Sequence, residues 1–473
     1  MKINNVSYLL TLIILITCSI TSCTQITPYQ TTISNQLIPN KPDLAIKNSH
    51  LLKCLTFSFE KCTETLNVTL AKKSDKGVYL GFIEFNESGN LFNRTQMYDV
   101  VNQINEKLKN PIIIVFIHGW NHNADDVNDS NIEEFKETLK TTDKFINPEG
   151  LISTRPIVGV YLGWRGASLD ESKVSYLRYL TFWERKNTAY DVGNGGVEEV
   201  FVRLNLIRNS EENKADSRLI FIGHSFGGLI TYTALHHHFI KNLTMNNQDQ
   251  YKNQDQYKNQ IADAVFLINP AIEAIRFKSL FDIAWSNETY MEATKPMLAI
   301  VTTEADAATK TAFPIGRKIS TFFNKFPSSE DNKMSVTAIG HYKPFITHWL
   351  RPRNISDSGT DCGDPKIMFE YKIDNDKDKN ICFNNDLNVP GNPKETILTR
   401  CDSKIDCAGM DLKAYLPKGS PSDNLVPYHS PILNIRTNKE VMSGHNDIWS
   451  PTMQLFIAQF IKASLNNTIP DLK

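Results

Sequence analysis

Short, almost uninterrupted apolar runs recur along this chain, and they constrain its fold more than any other feature. They cover Ile112–Ile117, Ile157–Leu162, Arg218–Ile222, Ala264–Ile268 and Met297–Thr302. Each is rich in β-branched residues and bounded by turn residues, the pattern of a strand buried on both faces. Stretches with helical spacing lie between them. Strands that alternate with helices build crossover units and a mostly parallel sheet with helices packed against it. A strand over Gly77–Phe85 and a helix over Met97–Leu108 precede this series; a strand over Pro431–Arg436 and an amphipathic helix over Pro451–Ile461 follow it. The expected class is α/β, with a mostly parallel central sheet flanked by helices.

A chain of 473 residues exceeds the size at which one core stops growing, about 250–300 residues, so insertions or a second unit are expected. Acidic residues number 52 and basic residues 51, with no basic block. Nucleic-acid affinity comes mainly from neutralising phosphates, so no nucleic-acid partner is expected.

The N-terminus reads as a targeting segment. Lys2 precedes an apolar run from Tyr8 to Ile16, too short to span a bilayer. The sequence Ile20-Thr21-Ser22-Cys23 behind it resembles a bacterial lipoprotein signal. That resemblance implies removal of 1–22, lipidation of Cys23, and, with Thr24 next, an outer-membrane address. An ordinary secretory signal, removed whole, is the alternative. Residues 23–76 begin as a polar tether, 77–350 form the core, 351–428 an insertion, and 429–473 a final strand, loop and helix.

Cysteine usage agrees with export. Beyond Cys18 and Cys23, six remain: Cys54, Cys62, Cys362, Cys382, Cys401 and Cys407. An even number in an exported chain suggests disulfides, here pairing neighbours in sequence and pinning the insertion. A zinc site is the rival, but no close Cys-x-x-Cys pair exists, and no metal is expected.

The chemistry concentrates at Gly223-His224-Ser225-Phe226-Gly227, between a strand and the helical stretch Leu229–His237. Gly-x-Ser-x-Gly in that context is the nucleophile elbow. The tight turn projects the Ser225 hydroxyl from the sheet. The glycines let strand and helix approach, and the Phe226 amide can face a developing oxyanion. Strand Ile112–Ile117 ends in His118-Gly119-Trp120-Asn121, which would supply a second donor from the Trp120 amide. His118 is expected to close that loop, and His224 to pack.

These motifs together resemble the α/β-hydrolase family. Trp164-Arg165-Gly166 and Ser443–Trp449 also resemble a bacterial branch of serine hydrolases, and the α/β-hydrolase likeness spans about Gly77–Phe313 and Pro431 to the C-terminus. It implies an acid and then a histidine after the serine. Asp306, behind the second strand after the elbow, is the expected acid, with Glu304 the alternative. His445, between the last strand and last helix, is the expected base. His341, read as following a strand over Ser335–Ile339, is its rival; His348 is a weaker one. The resemblance implies an acyl ester substrate, no cofactor, and membrane attachment through the lipid. A thioesterase, a peptidase or a non-catalytic binding scaffold are the alternatives.

Overall fold

The computed structural model describes residues 28–30, 53–54, 76–125, 129–147, 155–166, 182–210, 213, 216–249, 260–286, 297–352, 367–371, 379–382, 410–414 and 430–465. The signal, Cys23, most of the tether, Cys62, Cys362, Cys401 and Cys407 lie outside these residues. Cys54 and Cys382 are described in backbone only.

Eight parallel strands form the centre. They are β1 (Val78–Glu84), β2 (Ile112–Ile117), β3 (Ile157–Gly163), β4 (Arg218–His224), β5 (Ala264–Ile268), β6 (Leu298–Thr303), β7 (His348–Pro352) and β8 (Ile432–Thr437). Their order across the sheet is β1-β3-β2-β4-β5-β6-β8-β7. Strand Lys53–Cys54 pairs antiparallel with β1. Strands Met410–Ala414, Ile367–Tyr371 and Lys379–Cys382 continue the sheet beyond β7. The stretch read as an insertion, 351–428, thus adds strands to the same sheet.

The alternation of strand side chains divides the core into two layers. Ile113, Val115 and Ile117 face one side, with α1 (Arg94–Lys107), α3 (Phe182–Asn194), α4 (Val197–Arg208), α5 (Phe226–Asp249) and α6 (Ala274–Trp285). Ile112, Ile114 and Phe116 face the other, with α2 (Ser130–Ile146) and α9 (Pro451–Leu465). Every residue of β2 is buried, which is why its sequence is apolar at consecutive positions. Polar side chains set helix starts. Asn93 accepts from the Thr95 and Gln96 amides, and Asp129 from the Asn131 amide.

One expected element differs. Ser335–Ile339 is not a strand: α8 (Ser329–Val336), which follows α7 (Phe313–Ser320), covers its first two residues, and Ile339 opens a short 3-10 turn. Ser328 caps α8 by accepting from the Asp331 amide, so the local signal is a helix start. Among the described residues no helix is long and apolar enough to cross a membrane.

Candidate active site

Parallel α/β sheets place their functional loops at the carboxyl ends of the strands. Here those ends lead to Gly119 and Trp120 after β2, Trp164–Gly166 after β3, Ser225 after β4, Asn269 after β5, Asp306 after β6, and the His445 loop after β8.

Ser225 occupies the one-residue turn between β4 and α5. Its φ of +54° is left-handed, a conformation that costs a side-chain-bearing residue about 1–2 kcal/mol. The surroundings hold it there. The Ser225 amide donates to the Ile268 carbonyl at 3.0 Å, and its carbonyl accepts from Ala271 at 3.1 Å and Leu229 at 3.2 Å. The flanking glycines are required by space. A Cβ on Gly227 would stand 2.0 Å from the Ile117 carbonyl oxygen, and one on Gly223 2.6 Å from that of Gly227.

His445 Nε2 lies 2.9 Å from Ser225 Oγ, and His445 Nδ1 lies 2.9 Å from Asp306 Oδ2. A carboxylate only accepts, so Nδ1 carries the proton and Nε2 accepts from the serine hydroxyl. Asp306 is fully buried. Burial alone would raise its carboxyl; the His445 contact and the Thr309 hydroxyl and amide overcome this and hold it below the ordinary value. The Thr309 amide donates to Oδ1 at 3.0 Å, and its hydroxyl donates to Oδ2.

The alternatives lie elsewhere. Glu304 is half-exposed and pairs with Arg436 at 3.1 Å. His341 stands behind the acid, with Nε2 3.0 Å from Thr309 Oγ1, and burial lowers it to about 4. His348 is buried in β7, bonds the Thr347 hydroxyl at 2.7 Å, and is lowered by burial to about 3.

Asn269 and Thr303, which the sequence did not single out, support the His445 loop together with His224. Asn269, at φ +45°, donates from Nδ2 to the His445 carbonyl at 2.9 Å and accepts from the Thr303 amide at 3.1 Å. Thr303 Oγ1 donates to the Met442 carbonyl at 2.8 Å. His224 is fully buried and held neutral by burial, well below its ordinary value. Its Nε2 donates to the His445 carbonyl at 3.0 Å. The signal for Asn269 was an Asn-Pro pair closing a strand, since asparagine tolerates left-handed backbone better than most residues.

The loop after β2 reaches Ser225. A Cβ on Gly119 would lie 3.0 Å from Ser225 Cβ. Phe226 opens α5, where the first amides have no intrahelical partner. Trp164-Arg165-Gly166 braces this loop. The Asn121 amide donates to Gly166 O at 3.0 Å, and the Gly166 amide to His122 O at 3.2 Å. A Cβ on Gly166 would meet His122 O at 2.5 Å and Gly119 O at 2.7 Å. His118 is buried between Tyr161 and Trp164; its Nδ1 donates to Gly119 O at 2.9 Å and its Nε2 accepts from the Trp164 amide at 3.1 Å. Phe182 packs on Phe226 and Trp120 at centroid distances of 4.8 and 5.2 Å.

A buried ionic cluster flanks the site. Lys186 Nζ lies 2.8 Å from Glu273 Oε1, and Tyr190 donates to Oε2 at 2.9 Å. Arg317 reaches the same carboxylate at 3.2 Å. Burial opposes that charge, but Lys186 and Arg317 hold Glu273 at about 2. Among the described residues no group of three or more His, Cys, Asp or Glu is placed to hold a metal.

The fold and site define a parallel α/β protein in which a buried serine, a half-buried histidine and a buried aspartate stand in contact in that order. No protein-family model matches the chain. No curated protein matches it. A solved structure of "Phospholipase PlaB from Legionella pneumophila in complex with thio-NAD" is similar over 57% of this chain and 48% of its own, at 12% identity and a TM-score of 0.22. The likeness thus spans about half of that enzyme's chain.

Proposed function

We propose that the chain is a serine hydrolase of the α/β-hydrolase class that cleaves acyl esters. The carrying observation is the run of 2.9 Å contacts from Ser225 Oγ through His445 to Asp306, with Ser225 in a left-handed turn. The chain order serine, acid, histidine is the one that class uses.

In this proposal His445 Nε2 takes the Ser225 proton as Oγ attacks the ester carbonyl carbon. The Trp120 and Phe226 amides hold the oxyanion. His445 returns the proton to the departing alkoxide, leaving an acyl-serine and a free alcohol. A water molecule, deprotonated by His445, then releases the carboxylic acid and restores Ser225. Asp306 orients the imidazole and stabilises its cation. The alkoxide of an ester is easier to expel than an amine, which favours esters over amides. Export and lipidation at Cys23 belong to the same proposal and rest on the signal-like segment alone. The test is labelling by a fluorophosphonate, which requires an activated serine; a binding scaffold would not label.

A further inference from the structure

We propose that α7 and the turn after it form a docking surface for an anionic phospholipid bilayer. Among the described residues six large hydrophobic side chains are exposed, and four of them cluster here: Ile315, Ile319, Phe322 and Phe323, at 57%, 73%, 77% and 91% exposure. Ile315 and Ile319 are one helical turn apart on α7, so they share a face. Phe322 and Phe323 follow directly and contact each other at 5.1 Å between centroids. A water-soluble surface scatters such side chains, whereas a contiguous group marks a contact site.

Charge selects the occupant. Between Asp306 and Glu330 the chain carries Lys310, Arg317, Lys318 and Lys325 and no carboxylate. Arg317 is committed to Glu273 and to the Ser335 carbonyl, and Lys310 to the Glu304 carbonyl. Lys318 is exposed, and neither it nor Lys325 has an ion pair or hydrogen bond among the described residues. Exposed aromatic and aliphatic side chains beside uncommitted lysines match a lipid interface, where apolar groups enter the acyl boundary and cations meet phosphate headgroups.

The surface is tied to the site by packing. Gly316 lies against Trp183, where a Cβ would meet the ring at 2.1 Å. Trp183 contacts Phe182, which packs on Trp120 and Phe226 beside Ser225. The bilayer contact stands whether or not the chain hydrolyses anything.

Amide hydrogen exchange on the full chain tests this, because it reads the segment locally even if the N-terminus is also anchored. Vesicles of phosphatidylcholine alone and of phosphatidylcholine with phosphatidylglycerol at three to one are compared. Exchange across 313–326 should slow at least about threefold on the anionic vesicles relative to the neutral ones, and 0.5 M salt should erase the difference. Lys318→Glu with Lys325→Glu should abolish it. Phe322→Ser with Phe323→Ser should abolish protection on both vesicles while exchange in α5 stays unchanged. Equal exchange on both compositions, or protection that survives either double substitution, overturns the proposal. Protection that grows with protein concentration without vesicles also overturns it, and assigns the surface to a second copy of the chain.

Discussion

The Thr309 hydroxyl donates to the same Asp306 oxygen, Oδ2, that lies 2.9 Å from His445 Nδ1. Having given its proton to the carboxylate, Thr309 Oγ1 can only accept from His341 Nε2 at 3.0 Å. Thr309→Val should therefore lower kcat on a short acyl ester about tenfold or more, since a hydrogen bond to a charged group is worth about 1.5–3 kcal/mol. KM should change little. Losing the donor raises the Asp306 carboxyl, so the acid limb of the kcat profile should move to higher pH. Thr309→Ser should restore both.

His445 and His341 occupy different ranks of one chain of contacts. His445→Ala removes the only imidazole within hydrogen-bond distance of Ser225 Oγ among the described residues, and should lower kcat by about 10⁴ or more. His341→Ala removes a group that touches Thr309, and should cost no more than about tenfold. Steady-state kinetics of both variants on one ester decides this; a dead His341→Ala beside an active His445→Ala would reverse the two roles.

Gly166→Ala should damage catalysis more than folding. The added Cβ would meet the His122 and Gly119 carbonyl oxygens, which are backbone and cannot swing aside. The loop bearing Trp120 must then shift. Loss of one oxyanion donor costs about 2.7–4 kcal/mol, so kcat should fall about 10²–10³-fold. Circular dichroism should show the fold retained. Unchanged kcat would separate Trp120 from the oxyanion.

Stability should fall in mild acid. Burial lowers His118 to about 4, His341 to about 4 and His348 to about 3, and holds His224 well below its ordinary value. The unfolded chain binds a proton at each of these near pH 6.5, while the native chain does not until well below. Stability is therefore lost as pH falls from about 6.5 towards 4, by up to about 1.4 kcal/mol per pH unit for each histidine. Glu84 works against this. Burial raises it to about 7, so its native carboxyl takes a proton before the unfolded one does. Burial raises Glu134 and Asp143 as well. The four histidines outweigh these carboxyls between pH 7 and pH 5, so the urea midpoint should drop across that range. A flat or rising midpoint would contradict it.

The strands were legible because burial on both faces writes itself into consecutive apolar residues; β2 and β5 run over the same residues in sequence and structure. The elbow motif led to Ser225 and chain order to Asp306 and His445, and the structure brings those three within hydrogen-bond distance. Residues that act through a single bond to a distant segment were not legible. Asn269 meets His445 across 176 positions, and Gly166 is fixed by the His122 and Gly119 carbonyls, a constraint that no periodicity records. The Ser335–Ile339 alternation suggested a strand, but the Ser328 cap three residues before Asp331 started a helix first. Strand β7 was hidden by its own composition, since His348, Arg351 and Pro352 do not resemble a buried strand.

Fluorophosphonate labelling tests the central claim most directly, because it reports an activated serine without any knowledge of the substrate. The wild-type chain should take up one equivalent of probe on Ser225, located by peptide mass. Ser225→Ala should take up none, and His445→Ala should label at least about a thousandfold more slowly, since the hydroxyl has then lost its base. A wild-type chain that does not label, or a folded Ser225→Ala variant that labels as fast as wild type, would contradict the account.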